Sequence, residues 1–138
     1  MAIAVGSRGV ADLPTLVRET VAAVKETGGN PFIVPAMGSH GGATAEGQID
    51  VLLQLGISEE AVGAPIRSSM EVIKLDELPN GLPVYIDKLA YESDKIIVIN
   101  RIKPHTAFRG PVEKRTNEND NYRFRKAKGS RSCTCIQL

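Results

Sequence analysis

The sequence predicts an α/β fold, a mostly parallel sheet with flanking helices, and three observations carry that prediction. Short apolar runs at Ala2 to Val5, Phe32 to Val34 and Lys95 to Ile99 read as strands. Apolar residues at helical spacing separate the first two, and a connection of that length sets the strands parallel. The last run is continuously apolar, as in parallel strands covered on both faces.

Along the chain, the first strand is followed by the loop Gly6-Ser7-Arg8-Gly9. Asp12 is expected to cap the helix that comes next and Pro14 suits its first turn. Leu13, Leu16, Val17, Val21 and Val24 form one stripe before Gly28-Gly29 ends it. Phe32 to Val34 then run into Pro35-Ala36-Met37-Gly38-Ser39-His40-Gly41-Gly42. Thr44 is read as the N-cap of a second helix, with Ile49, Leu52 and Leu53 turned to the core and Gly56 as its stop. Met70 to Leu75 and Leu82 to Ile86, separated by Pro79-Asn80-Gly81, read as two strands joined by a turn. A short helix around Lys88 to Tyr91 precedes the last strand, which leads into Asn100-Arg101-Ile102-Lys103-Pro104-His105-Thr106.

With 138 residues, one domain is expected. Hydrophobic residues make up 42% but aromatics only 4%, with no tryptophan, so the core must be aliphatic. No apolar run approaches the roughly 20 residues of a membrane span, and the first residues lack the flanks of a signal peptide. A cytoplasmic protein with no membrane partner is expected. The net charge of +1 conceals a break. Residues 1–113 hold ten Lys or Arg against fourteen Asp or Glu, whereas residues 114–138 hold seven against two. Both cysteines, Cys133 and Cys135, lie in the basic tail, which supports neither a disulfide framework nor a four-ligand zinc site; no metal-ligand set is assigned.

The only two histidines, His40 and His105, each stand past a strand-like run, which suggests a two-base active site. Imidazole both takes and gives a proton near neutrality, and reactive groups of open parallel sheets collect at the carboxyl ends of strands. Arg8, between a strand end and a glycine, suits gripping a carboxylate or phosphate. The run Gly38 to Gly42 before a helix offers backbone N–H groups to an anion, although it lacks the P-loop ending. A non-catalytic anion- or nucleotide-binding α/β module is therefore the alternative.

Four segments carry a family resemblance: Ala2 to Gly9, Pro35 to Gly42, Pro65-Ile66-Arg67-Ser68-Ser69-Met70-Glu71, and Asn100 to Thr106. In that order they resemble the N-terminal catalytic domain of the nickel-dependent lactate racemase family, in its branch of broader 2-hydroxyacid racemases. The resemblance covers residues 1–113 and implies a Rossmann-like sheet, incomplete at both ends here because relatives have a segment before the first strand. It implies racemisation of a small 2-hydroxyacid, with a nickel pincer nucleotide as hydride acceptor and His40 and His105 as opposing acid and base. Arg8 is similar to the arginine of the family's Asp-x-Thr-Arg segment, with Val5 in the place of the acidic residue. Ser7, Gly41 and Lys103 join Arg8 as substrate- or cofactor-binding candidates, and Thr106 and Arg109 surround the second histidine.

Beyond Glu113 the resemblance stops. Relatives continue with Glu-Ser-Gly and a segment bearing the lysine that holds the cofactor and, later, a nickel-ligating histidine. Codons chosen for Glu113 onward, with one A dropped, translate as Glu-Ser-Gly-Leu-Met-Lys-Met-Ile-Thr-Ile-Gly-Phe-Gly-Lys, and a frameshift is expected there. Residues 114–138 are accordingly expected to be a disordered tail, their polar composition showing neither helical nor strand periodicity. Nucleic-acid binding by this basic tail, with Tyr122 and Phe124 for stacking, is the weaker reading. The chain is expected to be a fragment that lacks racemase activity and holds no cofactor stably.

Overall fold

The computed structural model describes residues 1–77, 81 and 83–101, and the backbone of a strand at residues 133–136. Four strands form the main sheet: β1 (Ala2–Val5), β2 (Phe32–Pro35), β5 (Ile96–Ile99) and β6 (Cys133–Ile136), in the order β2-β1-β5-β6 and all parallel. The register runs straight across, with Ala2 beside Phe32 and Ile96, and Val5 beside Pro35 and Ile99. β3 (Val72–Glu77) and β4 (Pro83–Asp87) pair antiparallel as a separate hairpin. β6 falls within the tail expected to lack structure. Its short run of β-branched and apolar residues adds to the edge of β5, and the rest of the tail lies outside the described residues.

Alternation along the strands divides the sheet into a large-residue face and a small-residue face. Ile3, Val5, Ile33 and Ile99 pack with Leu13, Val17 and Val21 of α1 (Leu13–Glu26), Leu52 of α2 (Ala45–Gln54) and Val62 of α3 (Glu59–Val62). All are buried and form the principal core. On the other face Ala2 and Val34 meet Ala90 of α4 (Lys88–Tyr91), with Phe32 and Ile96 alongside. Helices therefore flank both faces, as an α/β sheet requires.

Several local expectations change on contact with the structure. Asp12 takes left-handed dihedrals (φ 52°, ψ 40°) and makes no side-chain cap, so α1 begins on Pro14 and its buried stripe alone. Thr44 does cap α2, accepting a hydrogen bond from Gly47 N at 3.1 Å. Leu53 is 48% exposed rather than core-facing, while Gln48 is buried. The inward stripe of α2 thus runs through residues 48, 51, 52 and 55, and Leu53 lies off it. The hairpin strands start and end near their expected positions, and α3 is an addition, capped by Ser58 accepting from Ala61 N at 3.2 Å. The outer edge of β2 is covered: Ile33 N donates to Pro65 O at 2.9 Å and Arg67 N to Ile33 O at 2.8 Å. Arg67 then lies over the Phe32 ring, 4.9 Å from its centroid.

Asp87 closes β4 and caps α4, its Oδ1 accepting from Ala90 N at 2.9 Å. Burial holds its carboxyl above the ordinary carboxylate range, partly offset by the N–H groups of Ala90 and Leu89. The folded chain therefore binds this proton more tightly than the unfolded chain. Stability is lost as pH rises from the ordinary aspartate value, about 3.9, through the higher folded one. Asp87→Asn keeps a capping oxygen and removes the charge. Thermal melts are expected to show the variant a few degrees more stable at pH 7, with the difference shrinking toward pH 4. A lower melting temperature at pH 7 would show that the charge is favourable where it sits.

Candidate functional site

Because β1, β2 and β5 are parallel and in register, their chains leave the sheet together at Val5, Pro35 and Ile99. The ladder continues one step further, Gly6 N donating to Ile99 O at 3.0 Å and Ala36 N to Val5 O at 2.8 Å. The loops that follow therefore share one edge. The connection from β1 goes to β2 on one side, and the later chain returns as β5 on the other, so strand order reverses at β1. The carboxyl ends of β1 and β5 thus form the topological switch point, the usual place for ligands on open α/β sheets.

At this edge Ser7 Oγ and His40 Nδ1 share a hydrogen bond of 2.5 Å, linking the loops after β1 and β2. Both residues are half-buried, as is Arg8 beside Ser7. The His40 loop is held by several contacts. Met37 is buried in the core, His40 N donates to Met37 O at 3.3 Å, and Gln48 Nε2 donates to Gly38 O at 2.8 Å. Gly41 and Gly42 both take φ +66° in the short 3-10 turn that joins His40 to α2, a conformation that favours glycine. At Gly41 glycine is required twice over, because a Cβ there would lie 2.6 Å from Gln48 N.

Asn100, first residue after β5, completes the edge. Its side chain packs so closely on Gly6 that a Cβ on Gly6 would approach Asn100 Cγ to 2.7 Å. Arg101 Nη1 donates to Gly9 O at 3.2 Å, tying this third loop to the first. A cleft of about 710 Å³, its open mouth included, runs from Gly38 and Asn100 along the small-residue face of the sheet. Ala4, Val34 and Val98 form its floor, and Gln48, Ser69 and Asp87 bring polar groups to its walls.

Of the residues read from the sequence, the structure brings Ser7, Arg8, His40 and Gly41 to one edge. His105 and Lys103, like Thr106 and Arg109, lie outside the described residues; the segment carrying them leaves from Asn100 and Arg101 at this same edge. Sequence reasoning missed Gln48, Gly47 and Asn100. An amide on the buried stripe of α2, and a glycine inside that helix, were the signals present for the first two.

Among the described residues, no group of three or more His, Cys, Asp or Glu is placed to hold a metal ion. Nor is any helix among them long and apolar enough to cross a membrane. A protein-family model described as the lactate racemase N-terminal domain matches residues 9–110, which include both histidines and strands β2 and β5 of the sheet. Neither a curated protein nor a solved structure matches the chain.

Proposed function

The chain belongs to the lactate racemase N-terminal domain family, and from that premise we propose that its strand-end edge is the acid-base half of a 2-hydroxyacid racemase site. The observation that carries the reading is His40, hydrogen-bonded to Ser7 where the loops after β1 and β2 meet, at the carboxyl edge of the parallel sheet. In this reading His40 takes the hydroxyl proton from one enantiomer and His105 serves the other. Arg8 grips the carboxylate as a bidentate partner, with Lys103 adding positive charge, and Gly41 lets the backbone approach closely. In the intact family the nickel pincer nucleotide supplies the hydride acceptor. Among the described residues no group of His, Cys, Asp or Glu furnishes a nickel donor set. What this chain contributes is substrate binding and proton transfer at His40 Nε2.

The tail from Lys114 is read as the product of a shifted frame, so the chain as it stands binds hydroxyacid without racemising it. An anion- or nucleotide-binding module is the competing reading. One donor that such a site would use is already taken, since Gly47 N donates to Thr44 Oγ1 at 3.1 Å. Calorimetric titration with lactate and with a mononucleotide separates the two. Lactate binding that disappears in His105→Ala is expected. Nucleotide binding indifferent to His105→Ala, with no response to lactate, would overturn the racemase reading.

A further inference from the structure

We infer that Ser7 is a positioning residue for His40, fixing the imidazole in the tautomer whose proton sits on Nδ1 and leaving Nε2 bare as the working nitrogen; the inference rests on the acid-base reading above. The geometry supplies the contact. Ser7 Oγ lies 2.5 Å from Nδ1, between two loops that the parallel sheet already holds side by side. Neither partner is free to drift. Ser7 follows Gly6, which is locked under Asn100, and the His40 loop is held by Gln48 on Gly38 and by the Gly41–Gly47 backbone contact.

The chemistry assigns the direction of the bond. A neutral imidazole carries one N–H and one lone pair, and the partner of one nitrogen decides the state of the other. A serine hydroxyl either donates or accepts. If it donated to Nδ1, the proton of neutral His40 would sit on Nε2, and the nitrogen facing a substrate hydroxyl could not act as a base. A base at Nε2 therefore requires Ser7 to accept from Nδ1–H. Ser7 does this without charge. A carboxylate in the same place would fix the same tautomer but would also favour the imidazolium. With a neutral acceptor, His40 is oriented without being held in its protonated form, as suits a residue that must give the proton back.

The test is spectroscopic, on the full chain labelled with 15N-histidine. Long-range 1H–15N correlation distinguishes the protonated from the bare ring nitrogen, and a His40→Gln sample identifies which of the two imidazoles is His40. In alkaline buffer, at a pH where the spectrum no longer changes on further addition of base, His40 is expected to show Nδ1 protonated and Nε2 bare. Ser7→Ala is expected to shift the pattern toward Nε2–H, and Ser7→Thr, which keeps the hydroxyl, to restore that of the parent. Amide spectra report whether each variant folds, and the parent alone decides the tautomer should Ser7→Ala fail to fold. A parent in the Nε2–H form, or a Ser7→Ala pattern unchanged from it, overturns the role given to Ser7. Lactate titration of the same samples keeps the two readings apart. Lactate binding with the wrong tautomer removes only the Ser7 inference. The expected tautomer without lactate binding upholds the positioning and removes the racemase reading.

Discussion

Gly47→Ala is expected to lower the melting temperature by about 4–8 °C, although alanine is the better helix former by roughly 1 kcal/mol. Gly47 sits in the first turn of α2, where a Cβ would fall on the carbonyl oxygen of Gly41 and within 2.8 Å of Thr44 Oγ1. The atom struck is backbone, so no rotamer relieves the contact. Either the helix start or the His40 loop must move. Overpacking against backbone takes the upper part of the usual range of about 1–3 kcal/mol, which leaves about 1–2 kcal/mol of net destabilisation after the gain in helix propensity. The loop is the weaker element, so the His40 amide and its neighbours should lose protection from hydrogen exchange as the melting temperature falls. Gly9→Ala is the matched control, because a Cβ there meets nothing within 4 Å. An unchanged or raised melting temperature in Gly47→Ala would show that the His40 loop is not seated on α2.

If the frame proposed to shift after Glu113 is restored in the gene, His40→Ala in the resulting protein is expected to slow exchange of 2-hydroxyacid enantiomers by about 10²- to 10⁴-fold, the usual worth of a positioned acid-base group. The sequence holds only two histidines, and among the described residues a single imidazole stands at the edge. In the proposed mechanism His105 serves the opposite face of the substrate, so it does not replace His40. Core packing should be spared, since His40 is only half-buried and its loop is anchored by Met37 and Gln48 rather than by the ring. The loss should therefore appear in the rate, with the melting temperature of the variant close to that of the parent.

The parts of this fold that were legible in the sequence are those whose signal is local. Ala2 to Val5, Phe32 to Val34 and Lys95 to Ile99 announce themselves as apolar runs, and the Leu13–Val24 stripe as a helix, because each pattern is repeated by burial against one core. Thr44 was legible as a cap for the same reason: the hydroxyl acts on a backbone group three residues away. Asp12 had the right residue type but a left-handed backbone that turns its side chain out of capping position, and nothing in its immediate neighbours reveals this. Leu53 misled because hydrophobicity alone does not say which of two adjacent leucines meets the core. Leu52 takes that place, and the buried Gln48 belongs to the stripe because it reaches Gly38 across the loop.

The site divides along the same line. His40 and Arg8 stood out as chemistry-bearing residues at strand ends. That Ser7 meets His40 depends on the adjacency of β1 and β2, a contact 33 residues apart in sequence. Gly47 and Asn100 matter through the backbone and glycine they touch, and such approaches leave only a faint trace in a single sequence. The Pro65–Arg67 segment, which shields the edge of β2, carried a family resemblance without any hint of its place beside Ile33.

Chiral analysis of lactate incubated with the protein made after reverting the proposed frameshift at Glu113 bears most directly on the proposal that this edge is an acid-base site for a 2-hydroxyacid. A single enantiomer is expected to drift toward a mixture, at a rate that falls at least about 100-fold in His40→Ala while the melting temperature stays close to that of the parent. Exchange that proceeds unchanged in His40→Ala, or a parent protein that leaves either enantiomer untouched, would contradict it.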